Sequence, residues 1–294
     1  MGKIAAWILS LLGALGLCSG CELGGGEANS GRMDPAQARV LDRPRGETVR
    51  VSGSTTLLPI TLKAAEEYLK KFPGEIVTVS GTGSGEGVKS LIDGVVDLAA
   101  ASRDLKPAEV ERARARSVTL IGQVVARDGL AVIVHKDNPV RSLSQEQLRG
   151  IYVGTIKNWS QVGGENRVIV PINRDSSSGT FEMWVEKVLL GDKHRPDAQV
   201  QSSSGAVAYA VAGNRNAIGY VGLGFLDGQV AALTIDGVKV SLATVEDGSY
   251  PISRPLLMFS RSDASHSAQR FLRYLLGPEG QGLLAAEGFA SAGE

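Results

Sequence analysis

The chain has 294 residues, and its 31 Lys and Arg balance 31 Asp and Glu, so the formal net charge is zero. That balance, with no basic stretch along the chain, excludes nucleic acid as a partner held by phosphate neutralisation. Both of the 2 cysteines, Cys18 and Cys21, fall in the first 21 residues, which excludes an internal disulfide or a cysteine-based zinc site in the rest of the chain.

Residues 1–20 read as an export leader. Lys3 supplies a positive start, an apolar run follows from Ile4 to Leu17, and the small residues Ser19 and Gly20 precede Cys21. The run is too short and too lopsided for a membrane span. The segment Leu17-Cys18-Ser19-Gly20-Cys21 resembles a bacterial lipobox, with Cys18 where that pattern prefers Leu. It predicts lipidation at Cys21 and an exported chain held to a membrane by its lipid, in the periplasm or at the cell surface. The alternative is a plain signal peptide that contains cysteines. Residues 21–46 are rich in Gly and small polar residues and read as a flexible tether, so the fold starts near Glu47.

From there strand-like and helix-like runs alternate. Strands are expected over 47–51, 76–80, 97–101 and 129–135, with helices over 58–72, 88–94 and 107–116 between them. A second unit follows, with helices over 144–150, 179–190 and 207–212 and strands over 167–173 and 217–221. β-rich turns run to Tyr250, then come a strand over 255–260 and helices over 268–276 and 281–287. This alternation predicts an α/β fold with right-handed crossovers.

Three loops share one design. Ser52-Gly53-Ser54-Thr55-Thr56 precedes the first helix, Gly81-Thr82-Gly83-Ser84-Gly85-Glu86-Gly87 the second, and Arg174-Asp175-Ser176-Ser177-Ser178-Gly179-Thr180 the helix at Phe181. A helix start exposes unpaired N–H groups and a partial positive charge. Glycine lets backbone approach a ligand, and Ser and Thr hydroxyls add donors. Any one such loop is equally an ordinary N-cap. Three in one α/β chain, one of them beside Arg174, point to an anion. The Gly-Lys-Ser/Thr of a P-loop is absent and the glycine spacing differs from the dinucleotide fingerprint, so a small tetrahedral oxyanion fits better than a nucleotide. Arg174 offers a planar fork of donors for two oxygens, its alternative being a surface ion pair with Asp175.

Together with these loops stand Ala101-Ser102-Arg103-Asp104, Arg127-Asp128-Gly129-Leu130-Ala131-Val132 and Gly154-Thr155-Ile156-Lys157-Asn158-Trp159. After them come Ala217-Ile218-Gly219-Tyr220-Val221, Tyr250-Pro251-Ile252-Ser253-Arg254-Pro255-Leu256 and Gly277-Pro278-Glu279-Gly280-Gln281. In order and spacing, over nearly all of the chain after Glu47, these segments resemble the periplasmic phosphate-binding proteins of bacterial ABC-type phosphate importers. The resemblance implies a two-lobed type II periplasmic-binding-protein fold with two hinge strands, near 130–135 and 252–259. Lobe 1 would combine 47–136 with 251–294, and lobe 2 would be 137–250. Inorganic phosphate would sit between them. Ser54, Thr55, Thr56, Ser84, Ser102 and Arg103 would come from lobe 1 and Arg174, Ser178, Gly179 and Thr180 from lobe 2.

In some members of that family an Asp follows the Ser matching Ser102 and accepts a hydrogen bond from protonated phosphate. Arg103 stands there in this chain, which leaves the acceptor role to Asp128 or Asp104. Asp128 is preferred, at the mouth of a strand, although an Asp before Gly129 is also an ordinary turn residue. Ser176 stands where some members carry an acid that braces the Arg, and Asp175 is the substitute. The implied function is capture of phosphate without catalysis, cofactor or metal, by a monomer that passes it to the permease subunits of an ABC importer. Three other readings are a carrier of sulfate or molybdate, an exported phosphatase with a nucleophile in a Ser-rich loop, and a phosphate sensor for a signalling partner. Against the phosphatase, the 3 histidines, His135, His194 and His266, are scattered without metal-ligand spacing.

Overall fold

The computed structural model describes residues 48–292. The expected leader over 1–20, the expected lipidation at Cys21 and the expected tether over 21–46 all fall outside the described residues. The first strands, β1 (Thr48–Gly53), β2 (Ile76–Ser80) and β3 (Leu98–Ala101), are short β-branched or alanine runs. They pair in parallel, β1 in the middle. Parallel pairs need crossovers, and the helices α1 (Leu58–Lys71) and α2 (Ser84–Ile92) supply them. Pro59 sits in the first turn of α1, where no N–H is required, and Lys70 and Lys71 face its negative end. Helix α3 (Pro107–Ala115) opens on a proline too, and Glu109 in its first turn accepts from the Lys106 N–H at 2.8 Å.

The strand β4 (Leu120–His135) runs for 16 residues. After it come β5 (Ser142–Leu143), α4 (Gln145–Val153), β6 (Val170–Arg174), α5 (Gly179–Trp184), β7 (Gln199–Gln201), α6 (Ser204–Ala212) and β8 (Ala217–Gly222). The chain closes with β9 (Val230–Ala232), β10 (Thr234–Ile235), α7 (Leu242–Glu246), β11 (Ser253–Arg261), α8 (His266–Leu276) and α9 (Pro278–Ala286). The main sheet has the order β2-β1-β3-β11-β4-β8-β6-β7, with β9 also on β4. Up to Gly129, β4 pairs antiparallel with β11; from Leu130 it pairs antiparallel with β8.

That change of partner divides the fold into two lobes. Lobe 1 buries two clusters, one on each sheet face. Val49, Tyr68, Leu98 and Phe271 pack under α1, α8 and α9, while Val88, Leu91, Ala101 and Phe259 pack under α2 and α3. Lobe 2 has its own core, in which Trp184 stacks on Tyr220 with centroids 3.9 Å apart and Tyr152 meets both rings edge-on. The Tyr152 hydroxyl lies 3.2 Å from the carbonyls of Ile172 and Ile218, tying β6 to β8. Both lobes fall within a single compact unit.

At the crossing, the Leu130 N–H donates to Ile252 O at 2.8 Å and the Tyr250 hydroxyl to Leu130 O at 2.8 Å. A Cβ on Gly129 would lie 2.7 Å from Val240 and 2.8 Å from Val245, so the strand passes only without a side chain there. The change of partner on β4 thus falls at the start of the stretch expected from the sequence. Several other elements start earlier than expected, α2 and α6 among them. α2 begins at Ser84, its glycine-rich segment forming the first turn, and α6 begins at Ser204. The helix expected over 179–190 is α-helical to Trp184, widens into a π-turn over Val185–Leu189 and ends at Leu190 with φ 53°. No helix among the described residues is long and apolar enough to cross a membrane.

Candidate functional site

The ends of the strands and the starts of the helices meet where the lobes face each other. Gly53 closes β1 at φ 136°, with its Cα so near Ala100 that a Cβ would sit 2.1 Å from the carbonyl oxygen. Only glycine holds that turn. It allows the Ser54 N–H to donate to Ala100 O at 2.8 Å and aims Ser54, Thr55 and Thr56 inward. All three are buried. Ser54 Oγ donates to Ser102 Oγ at 3.1 Å and accepts from the Thr56 N–H at 3.2 Å. Ser84 Oγ, in the first turn of α2, accepts from the Ser102 N–H at 3.2 Å. One hydroxyl cluster therefore joins three segments of lobe 1.

Lobe 2 presents Arg174 at the end of β6. Its backbone N–H lies 3.3 Å from the Tyr220 hydroxyl. Its Nε donates to Gln201 O at 3.1 Å, Nη2 to Ser202 O at 3.1 Å and Nη1 to Ser204 Oγ at 3.2 Å. Asp175 Oδ2 is 3.4 Å from Nη2. Burial lowers the Arg174 pKa, with Asp175 the largest opposing influence. Ser178 caps α5 by accepting from the Phe181 N–H at 3.3 Å, which is the ordinary N-cap role, and Gly179 and Thr180 follow in the first turn.

The two sets touch. Thr56 Oγ1 is 3.2 Å from Thr180 Oγ1, and Thr55 Oγ1 and Thr56 Oγ1 are each 3.4 Å from Ser204 Oγ. A Cβ on Gly179 would be 2.5 Å from Ser84 Oγ. Behind this contact lies an ion pair that spans the hinge strands. Arg254 on β11 donates to Asp128 Oδ2 on β4 from Nε at 3.1 Å and from Nη2 at 2.8 Å, both side chains fully buried. Arg254 also donates to Thr180 Oγ1 at 2.8 Å and to Thr56 Oγ1 at 3.1 Å, one hydroxyl from each lobe. Burial lowers its pKa, and Asp128 opposes that shift. The other Asp128 oxygen accepts from the Leu223 N–H at 2.9 Å.

Of the residues expected from the sequence, Ser54, Thr55, Thr56, Ser84, Ser102, Asp128, Arg174, Ser178, Gly179 and Thr180 come together. Arg103 is buried beside them but its guanidinium turns away, toward Glu109 and Glu182. The expectation that Arg103 faces the ligand is corrected on that ground: two carboxylates compete for its fork and hold it. Asp104, the alternative acceptor, is exposed.

Comparison with known proteins agrees with this geometry. A family model described as a PBP superfamily domain matches residues 40–279. The phosphate-binding protein PstS of Bacillus subtilis is 32% identical over 251 residues, covering 85% of this chain and 81% of that protein. The chain belongs to the PstS family. Among solved structures, a phosphate ABC transporter substrate-binding protein of Clostridium perfringens with bound phosphate aligns at TM-score 0.79 and 34% identity, over 83% of this chain and 99% of that one. An ABC-type phosphate transport receptor of Vibrio cholerae aligns at 0.68 and 32%, over 82% and 99%.

Two residues of this PstS-family site were missed in the sequence. Ser204 lies in Ser202-Ser203-Ser204-Gly205, a fourth loop of the design already recognised three times, and that repetition would have found it. Arg254 carried no local signal beyond its place in Ser253-Arg254-Pro255, since only the fold brings it to Asp128.

Proposed function

We propose that this chain captures inorganic phosphate between its lobes and hands it, without chemical change, to the permease subunits of an ABC importer. One observation carries the reading. Two buried guanidiniums and the first turns of helices from both lobes converge on one set of hydroxyls. In that set Arg174 is answered mainly by neutral carbonyls and a hydroxyl. A tetrahedral anion completes it, accepting from the Arg174 fork, from Thr55, Thr56, Ser84 and Thr180, and from N–H groups in the first turn of α5. Binding that draws on both lobes favours the closed form, so ligand and hinge motion are coupled. The phosphate-named relatives support phosphate over other oxyanions.

Asp128 is the acceptor for the phosphate proton, because it is buried in the cluster while Asp104 is exposed, and the one hydrogen bond to its Oδ1 among the described residues comes from the Leu223 N–H. Sulfate brings no proton, so a carboxylate facing it meets an unpaired negative oxygen. Export, lipidation at Cys21 and action as a monomer complete the proposal. Calorimetry of the purified chain with phosphate, sulfate and molybdate tests it. Phosphate should bind well ahead of sulfate, and Asp128→Asn should narrow the gap. Absence of phosphate binding, or equal affinity for all three, rejects the reading.

A further inference from the structure

Away from the hydroxyl cluster the lobes meet a second time, through charge. Arg103 leaves β3 with its side chain 5% exposed and lies between two helices of opposite lobes. Nη1 and Nη2 donate to the two oxygens of Glu109 on α3, each at 2.7 Å, and Nη1 also donates to Asp104 O at 2.7 Å. Its Nε pairs with Glu182 on α5, as an ion pair rather than an aligned hydrogen bond. The other Glu182 oxygen pairs with Lys106 at 2.7 Å. Glu182 is 17% exposed and two residues past Thr180, on the same short helix. The neighbouring Gly85 N–H donates to Ser177 O at 3.0 Å, so backbone from the two lobes is also in contact there.

Arg103, Lys106 and Glu109 are anchored to each other within lobe 1 whatever the hinge does. Glu182 belongs to lobe 2 and reaches them only when the cleft is shut. On opening, Glu182 would return to water while Arg103 kept Glu109, so the lobe 1 part of the network survives unchanged. The pairing with Glu182 is therefore conditional on closure, and being largely out of solvent it is weakly screened.

We infer that Glu182, through Arg103 and Lys106, is an affinity-determining latch: it makes no contact with the ligand and sets how long the closed cleft holds it. Burial pushes the Arg103 pKa down, while Glu109 and Glu182 more than reverse the shift, so the cation persists at any working pH. A contact made after encounter acts on release and leaves capture alone.

The inference rests on the phosphate reading, and its test separates the two. Glu182→Gln keeps the shape of the side chain and removes its charge. Release of radiolabelled phosphate, chased with unlabelled phosphate, should speed up about 30-fold or more, the range for losing one partner of a buried charge pair, with the capture rate unchanged. Lys106→Ala, which removes the half-exposed partner, should act in the same direction and less strongly. A wild-type release rate in Glu182→Gln, or an equal fall in the capture rate, overturns the latch. Should the wild-type chain bind no phosphate, the functional reading falls, and small-angle scattering of the unliganded chain decides the latch alone. Glu182→Gln must then show a larger radius of gyration than wild type, and equal radii overturn it.

Discussion

Arg174 and Arg254 are both buried, yet the two charges are balanced differently. Arg254 and Asp128 are each fully shielded and answer each other at 2.8 Å. Among the described residues Arg174 has only Asp175 as a carboxylate partner, at 3.4 Å and itself 30% exposed. Both pairs are formally neutral, but the longer and partly solvated second one compensates its guanidinium less, which suits a ligand anion. Removing the Arg174 fork therefore removes anion affinity while leaving little uncompensated behind. Arg174→Ala should weaken phosphate binding by about 2–5 kcal/mol, roughly 30-fold or more, with the circular dichroism spectrum intact. Arg254→Ala strands a buried carboxylate, and its cost should fall on the fold, at about 3–5 kcal/mol in urea unfolding. The double change Arg254→Met with Asp128→Leu should recover most of that stability without recovering affinity. A double variant no more stable than Arg254→Ala would mean that the ion pair is not the source of the loss.

Among the elements, α5 joins the two lobes most directly. Its first residue, Gly179, has no positive φ, so alanine there would favour the helix by up to about 1 kcal/mol when the lobes are apart. With the lobes together, the added Cβ would lie 2.5 Å from Ser84 Oγ, 2.9 Å from Ser84 Cβ and 3.0 Å from Arg103 Cγ. A rotamer change relieves the first contact but not the second. Gly179→Ala should lower phosphate affinity at least tenfold by calorimetry while thermal stability without ligand stays level or rises. A loss of both would place the residue in the fold of lobe 2 rather than in closure. The same helix shows where sequence reading succeeds and where it stops. Ser178, Gly179 and Thr180 were legible because capping chemistry is local. The alternation of β1, α1, β2 and β3 was legible from hydrophobic period alone. The first half of β4 was not, since Gly122, Gln123 and Arg127 interrupt its pattern and only pairing with β11 makes it a strand. The start of α2 was hidden because Gly85 and Gly87 read as loop, whereas packing decides: a Cβ on Gly87 would fall 2.6 Å from the Gly53 Cα. Arg103 was misread because its two carboxylate partners lie six and seventy-nine residues away.

Across the whole molecule, β4 carries one sheet through both lobes, so the hinge is part of the core and shares its response to pH. Tyr250 lies at the crossing, its hydroxyl on Leu130 O, and Tyr220 lies behind Arg174. Burial raises the pKa of both above the ordinary tyrosine value, and Asp128 adds to the effect on Tyr250. The sign of the pH dependence follows. Below about pH 10 both tyrosines are protonated folded or unfolded, and their contribution to stability is complete. Above about pH 10 the unfolded chain releases protons that the folded chain still holds, so stability falls as pH rises, by about 1.4 kcal/mol per pH unit for each such tyrosine. Tyr250→Phe should cost about 0.5–1.5 kcal/mol at pH 7 through the lost hydrogen bond, yet lose stability less steeply above about pH 10. Urea unfolding of both forms between neutral and alkaline pH measures the two slopes. Parallel slopes would mean that Tyr250 ionises as easily in the folded hinge as in the unfolded chain, and the crossing would then be open to water rather than closed around its hydroxyl.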